Sequence, residues 1–513
     1  MTAAALLAPW LVLGLLLWPH SRQLGARLTA WAPLPALLLA LLPGVDDRIS
    51  LGLLDFGADA LGRDFLLFVA LIWWLAGLFA ASWMRDRAER LPFAAFWLTT
   101  LAGSLGLLLA QNLVSLYVCF AIASLAAWGL VLAGEDPRRT RPAARVYLTL
   151  MALAEVALLT GIAAAATVDG MAFGSLAVEG AGGLALAAFA FGFAIKLGVL
   201  GVHFWLPPAH AAAPLPASAV LSAVLVKAGL FGWLRIVPPE PTALDGLSLA
   251  VIVLGFVAVF YGAVSGITRD HPKQVLAFST VSQMGLLLVA VGLGTLADQT
   301  LALLAGHHAL AKATAFLGLG LLASASGQPR TCILMGLFAT ALVLIGVPFT
   351  SGAVAKTVLE SALHAGDEAP IFTLALALSA TATTLLMLRF GILALGHTST
   401  RTLIAGLWLP WGLLVVAMLL SPWWLPGAPG TASVSLGQIW PLLLGLMIGL
   451  PAMRIASALP HPGRVVGRLD ALVPPLRPSR VVHLERRLLR WANVGALLLL
   501  LALGMLALVF FEI

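Results

Sequence analysis

Apolar stretches of about twenty residues, parted by short polar breaks, recur along this sequence from end to end. That is the length a helix needs to cross the hydrocarbon core of a bilayer. The pattern predicts an all-α polytopic membrane protein with about 14–16 transmembrane helices. Of 513 residues, 61% are hydrophobic and 10% charged, with mean hydropathy +1.03; a soluble domain is about a quarter charged and less than half apolar. No soluble domain or long linker is visible, and the longest polar stretch runs near Pro460–Arg490. Met1–Trp18 lacks a basic start and a cleavage site, so it reads as the first span, not a signal peptide.

Placing alternate loops on opposite sides puts 21 of the 29 Lys and Arg on one side, in loops such as RDRAER, EDPRRTRPAAR and LERRLLR. By the positive-inside rule the rich side is cytoplasmic, and both termini are expected outside. The acidic loop with Asp55, Asp59 and Asp64 then faces outward. The net charge of +7 follows from this topology, so nucleic acid is not an expected partner; lipid is. Cys119 and Cys332 sit in apolar helices without metal-ligand spacing and read as buried, inert thiols.

Seven strongly ionisable residues remain at membrane depth: Glu155, Lys196, Lys227, Lys312, Lys356, Glu360 and Arg389. Each charge at a helix centre costs roughly 2.5–3.5 kcal/mol on insertion scales, so a set of them requires pairing or a hydrated path. Arg389 lies near a cytoplasmic end and reads as a structural ion pair. Spacing organises the others. His308 and Lys312 are four apart and share a helix face. Lys356, Glu360 and His364 repeat that register, and Lys196 and His203 are seven apart. His307 reads as a core residue. These groups form a candidate proton relay.

Pro207 and Pro208 follow Lys196 and are expected to break the helix of segment 182–208; Pro348 interrupts segment 332–364 near Lys356. Freed backbone groups at membrane depth are tolerable only where water or protein satisfies them. Two interrupted helices suggest an inverted-repeat transporter. The repeats would cover 92–237 and 247–395, between N-terminal helices at 1–91 and C-terminal helices with a basic cytoplasmic loop at 396–513.

The strings FAIKLGVLGVHFWLPPAH, PLPASAVLSAVLVKAGLFGWLR, PKQVLAFSTVSQMG, HHALAKATAFLG and GVPFTSGAVAK resemble the antiporter-like subunits of respiratory complex I, Mrp-type cation/proton antiporters and energy-converting hydrogenases. The resemblance covers about residues 50–400. It implies that Lys196 is the broken-helix lysine of the first half-channel, Lys227 a lysine of the next helix, and His308 and Lys312 the central connecting pair. It likewise makes Lys356 the terminal lysine of the second broken helix and Glu155 an acidic residue of the sixth span. The chain departs from the family at Ala121, where the fifth span usually carries a glutamate; Glu155 is the candidate replacement.

The resemblance implies a proton-translocating subunit of a larger membrane complex in a bacterial inner membrane, with Na+ as a candidate coupled ion. No nucleotide motif, haem ligation or Fe–S cysteine pattern is present, so no cofactor is expected and a driving partner is implied. The rival readings are an antiporter-like partner of an inorganic-carbon uptake system, a structural membrane subunit and a stand-alone solute carrier.

Overall fold

The computed structural model describes residues 1–42, 44, 47–166, 173, 182–236, 248–365, 370–396, 405–428 and 436–458. Met1–Pro451 forms one compact unit. Of the second, Ala452–Ile513, only the end of one helix is described, so the expected last span and the long polar stretch lie outside the described residues.

The helices, in chain order, are α1 (Thr2–Leu17), α2 (Arg22–Leu28), α3 (Leu34–Leu41), α4 (Ala60–Trp83), α5 (Arg90–Leu109), α6 (Leu113–Leu132) and α7 (Pro137–Ala166). Then come α8 (Gly182–Leu197), α9 (Leu206–Ala212), α10 (Leu215–Val220), α11 (Val226–Ile236), α12 (Ser248–Ile267) and α13 (Pro272–Leu293). The series ends with α14 (Asp298–Leu322), α15 (Gly327–Ile345), α16 (Ser351–Ala365), α17 (Pro370–Leu395), α18 (Trp408–Trp424) and α19 (Leu436–Ala458). A small antiparallel hairpin, Ile49–Leu51 with Leu54–Phe56, sits in the acidic loop. Ten helical stretches among the described residues are long and apolar enough to cross a membrane, and four shorter apolar helices accompany them. The chain is an all-α polytopic membrane protein.

Helix α14 organises the interior. Every residue from Leu301 to Leu322 is buried, although the stretch carries His307, His308 and Lys312. A helix buried all round is a core element, and here that core contains charge. Around it, close approach relies on small residues, as membrane interfaces do. In the α12–α13 hairpin a Cβ on Gly255 would stand 2.7 Å from the Gly285 carbonyl oxygen, and one on Gly262 would stand 2.6 Å from the Ser282 nitrogen.

The interruptions differ from the sequence expectation in one respect. Helix α8 stops at Leu197, ten residues before Pro207, and Gly198 and Gly201 at φ +73° and +99° turn the chain. Pro207 and Pro208 lie in the first turn of α9 instead, where an amide donor has no helical partner and its loss costs nothing. The glycines break the helix and the prolines restart it. At the second interruption α15 ends on left-handed Gly346, and Pro348 lies in the link to α16 as expected. A third irregularity was not foreseen: Leu221–Leu225, between α10 and α11, is a π-helical turn immediately before Lys227. Cys119 is buried, but Cys332 is exposed on α15, against expectation.

Gly255→Leu is expected to lower the unfolding midpoint of the detergent-solubilised protein, because overpacking against main chain costs roughly 1–3 kcal/mol or more. Gly391→Leu, where an added Cβ meets nothing within 4 Å, should leave it unchanged. Thermal unfolding followed by circular dichroism compares the two.

Candidate functional site

Of the seven ionisable residues expected at membrane depth, Glu155, Lys196, Lys227 and Lys312 are buried, and Lys356, Glu360 and Arg389 are half-buried. Glu155 and Lys312 are fully buried; Lys227, His308 and Lys196 are 1%, 2% and 3% exposed. A cation in such a place must be paired or well hydrogen-bonded, and each lysine has found a partner.

Lys196, at the last turn of α8, is ion-paired with the Glu155 carboxylate of α7. Ser124 of α6 joins them. Its hydroxyl lies 2.6 Å from both groups, accepting from Lys196 Nζ and donating to Glu155 Oε1. The ammonium also lies 4.6 Å from the centre of the Phe120 ring, within cation–π range. Tyr147 Oη donates to the Ser124 carbonyl at 2.9 Å and steadies the turn. Ala121 stands one turn before Ser124, so the carboxylate facing Lys196 arrives from α7, not from α6.

The other three lysines donate to main-chain carbonyls. Lys227 Nζ donates to the Ser222 carbonyl at 2.6 Å, inside the π-helical turn. Lys312 Nζ donates to the Leu276 carbonyl of α13 at 2.8 Å. Lys356 Nζ donates to the Ile345 carbonyl at the broken end of α15. Helix irregularities thus supply two of the three acceptors. Carbonyl oxygens orient an ammonium without neutralising it, so each lysine stays sensitive to charge nearby. Lys227 and Lys312 lie within electrostatic reach of each other, and His308 within reach of both.

Lys356, half-buried, connects with α14. A cleft of about 20 Å³ is lined by His307, His308, Gln283, Gly352 and Lys356, enough for one water. His307 Nδ1 lies 3.0 Å from the Ser351 hydroxyl at the start of α16, so His307 ties α14 to the second break and is more than core filler. A second cleft of about 40 Å³ joins Lys356 to Glu360 beside α17. His364, one turn on, is exposed at the end of α16, and its Nδ1 lies 2.7 Å from the Glu360 carbonyl. The register of Lys356, Glu360 and His364 holds because α16 is unbroken.

The expected pairing of Lys196 with His203 does not arise by helical register, since the break at Gly198–Val202 separates them. His203 instead faces Tyr261 of α12, Nε2 to Oη 3.1 Å. Helices α8 and α11 meet where a Cβ on Gly229 would stand 2.7 Å from the Leu197 nitrogen, one and two residues from Lys196 and Lys227. Arg389 is bound outside the relay, to Asp270 at 2.8 Å and the Arg269 carbonyl at 3.0 Å. Sequence reasoning missed Ser124, whose signal was a hydroxyl within an apolar span, and Arg235. Arg235 clasps Asp59, the N-cap of α4, with Nη2 to Oδ1 at 2.6 Å. Burial pushes the Asp59 carboxyl up, but Arg235, the Gly62 amide and Gln111 more than offset that and hold it below the ordinary carboxylate range.

Residues 110–384 match the model of the NADH:quinone oxidoreductase/Mrp antiporter transmembrane family. The chain belongs to this family. It is 32% identical over 290 residues to hydrogenase-4 component B of Escherichia coli, covering 52% of this chain and 43% of that one. It is 31% identical over 248 residues to NAD(P)H-quinone oxidoreductase chain 4 1 of Picosynechococcus, covering 46% and 45%. With a putative antiporter subunit mnhA2 of Staphylococcus haemolyticus the figures are 27% over 380 residues, 66% and 46%. The chain thus spans less than half the length of these curated relatives. Among solved structures, a chain of the Mrp complex from Dietzia sp. superposes with TM-score 0.68 at 22% identity, over 89% of this chain and 96% of that one. A chain of an archaeal membrane-bound sulfane sulfur reductase gives 0.69 at 18%, over 82% and 94%. Both share the fold.

Glu155→Ala should destabilise the protein by roughly 3–5 kcal/mol, because it leaves the Lys196 ammonium buried without its counter-charge. The double variant Glu155→Ala/Lys196→Leu should recover most of that loss. A double-mutant cycle on unfolding in detergent measures the coupling; additive losses would contradict the pairing.

Proposed function

We propose that the chain is a proton-translocating membrane subunit of a multisubunit energy-converting complex, carrying protons through two half-channels joined at mid-membrane by α14. The observation that carries this reading is the succession of basic groups, all but Lys356 buried, around that helix. Lys227, Lys312, His308, His307 and Lys356 follow one another between the two interrupted helices; the three lysines and His307 are held by neutral partners, and neither ring nitrogen of His308 has a hydrogen-bond partner. The end of α9 and the residue Ala323 ahead of α15 both border an arginine-bearing cavity, so α8–α9 leads towards it and α15–α16 away from it, which supports reading them as an inverted repeat.

The chemistry follows from the partners. While Glu155 neutralises Lys196, the first half-channel presents no net charge to Lys227. Parting the pair exposes a positive Lys196 and makes a second charge on the adjacent helix costly. A proton on Lys227 then moves towards Lys312 and the histidines. From there it passes by the one-water cleft to Lys356, and by Glu360 and His364 to the end opposite the arginine-rich loops. Moving one charge against the membrane potential takes about 2.3 kcal/mol per 100 mV. Groups held by carbonyls match that scale better than a chain of closed ion pairs. The relatives, named for hydrogenase, quinone oxidoreductase and antiporter assemblies, support the reading that neighbouring membrane subunits drive or use the movement.

Lys196→Ala and Lys356→Ala should each abolish proton movement by the purified complex in vesicles, followed with an internal pH-sensitive dye, while assembly is retained. Glu155→Ala should abolish it as well, and adding Ala121→Glu should restore a substantial part, since the carboxylate returns one turn from Ser124. Undiminished flux in both lysine variants would leave only a structural role.

A further inference from the structure

The relay described above has an exit but no defined intake at the arginine-rich end. A cavity of about 310 Å³ lies there, lined among others by Arg87, Glu135, Asp136, Arg139 and Lys273. Ala211, Ala212 and Ala213 at the end of α9 and Leu319 and Ala323 at the end of α14 also line it. Both helices lead from the cavity into the interior. The first side chain inward on α9 is His210.

His210 is fully buried, and neither ring nitrogen has a protein hydrogen-bond partner. Two unsatisfied nitrogens on one buried ring are costly in a merely structural residue, and native proteins rarely retain them. Its place is well determined. The imidazole stacks on Phe316, centroids 5.2 Å apart with the planes at 24°. Phe316 is four residues beyond Lys312 and eight beyond His308, on the same face of α14. The ring therefore covers the cavity-side end of the row that carries the central lysine, within electrostatic reach of Lys312, Lys273 and Lys227. The main chain beneath it is fastened from two sides. Ser218 Oγ donates to the His210 carbonyl at 3.0 Å, and Lys273 Nζ donates to the Ala213 and Ala211 carbonyls at 2.6 and 3.2 Å.

We infer that His210 is the proton-carrying residue between the arginine-rich cavity and Lys312, a position that the sequence motifs did not single out; the inference rests on the relay proposed above. One ring nitrogen takes a proton from solvent in the cavity, and the other releases its own towards the neutral amine of Lys312, which becomes an ammonium. Exchange of the remaining proton between the nitrogens through solvent, or rotation of the ring, resets the group. Only bonds to hydrogen change: an O–H bond of hydronium in the cavity breaks as an N–H forms on the ring, and a ring N–H breaks as one forms on Lys312. The cavity thereby feeds the central lysines directly, and Lys196 with Glu155 acts on them as a charge switch in place of a first carrier.

The test uses the whole complex in vesicles. His210→Ala is expected to lower proton flux tenfold or more, in keeping with the loss of a positioned proton carrier. Imidazole added on the cavity side should restore part of it, while the same addition leaves Lys196→Ala and Lys356→Ala inactive. His210→Asn, which fills the space but carries no proton at neutral pH, should behave like His210→Ala. Full flux in His210→Asn, or flux in His210→Ala that imidazole does not raise, would make the ring a packing element and overturn the inference while the lysine relay stands. Should His210 variants fail to assemble, Ala212→Cys in a Cys332→Ser background offers a second route. A bulky thiol reagent at that position should block flux by filling the cavity, and unchanged flux after complete labelling overturns the inference. Undiminished flux in both lysine variants would instead remove the relay itself.

Discussion

An ammonium group taken into the membrane needs something to hold it, and the way this chain meets that need shapes the rest of its interior. A carboxylate would hold each lysine firmly and fix its charge. Only Lys196 has one. Lys227, Lys312 and Lys356 lean on carbonyl oxygens, which can stabilise an ammonium or accept from a neutral amine with little rearrangement. In a regular helix most carbonyls are already engaged, so this arrangement calls for irregular backbone. The π-helical turn at Leu221–Leu225 and the broken end of α15 at Ile345 provide it at the places where Lys227 and Lys356 reach. Backbone that would be a defect in a lipid-facing helix thus becomes the site.

The same constraint explains the status of α14. A helix carrying two histidines and a lysine cannot face lipid, and it is enclosed along its whole inner length. Enclosure gives the basic groups a common low-dielectric setting in which each feels the charge of the next. It also places two irregular elements within reach of one helix: the π-helical turn before α11 on one side and α16 through His307 and Ser351 on the other. On the proposed relay, coupling between half-channels then needs no large movement, only changes of charge along one helix.

Much of this was legible in residue order. Four lysines and two glutamates inside apolar runs cannot be accidents of composition, and the spacings of His308 with Lys312 and of Lys356 with Glu360 and His364 survived because those helices are continuous. The first break was misplaced because prolines were taken as the interrupters. Their effect depends on position within a helix, and at the first turn they favour it; the true break rests on glycines whose left-handed backbone leaves no mark in a hydropathy pattern. His203 was assigned to Lys196 by a register that the break removes, and it faces Tyr261 from a helix fifty-eight residues on. Ser124, Arg235 and His210 escaped notice because their importance comes from partners remote in sequence.

Residue order alone determined that the chain is an all-α membrane protein and which charged side chains must be sheltered. These follow from the cost of moving each residue out of water, which depends on its chemistry and immediate neighbours. The tertiary structure decided which acceptor each lysine takes, that a carboxylate from α7 serves where α6 offers only Ala121, and that the unpartnered His210 ring stacks on Phe316 one turn beyond Lys312. Those outcomes depend on distances between groups tens or hundreds of residues apart, set by the packing of helices that all look alike to a hydropathy scale.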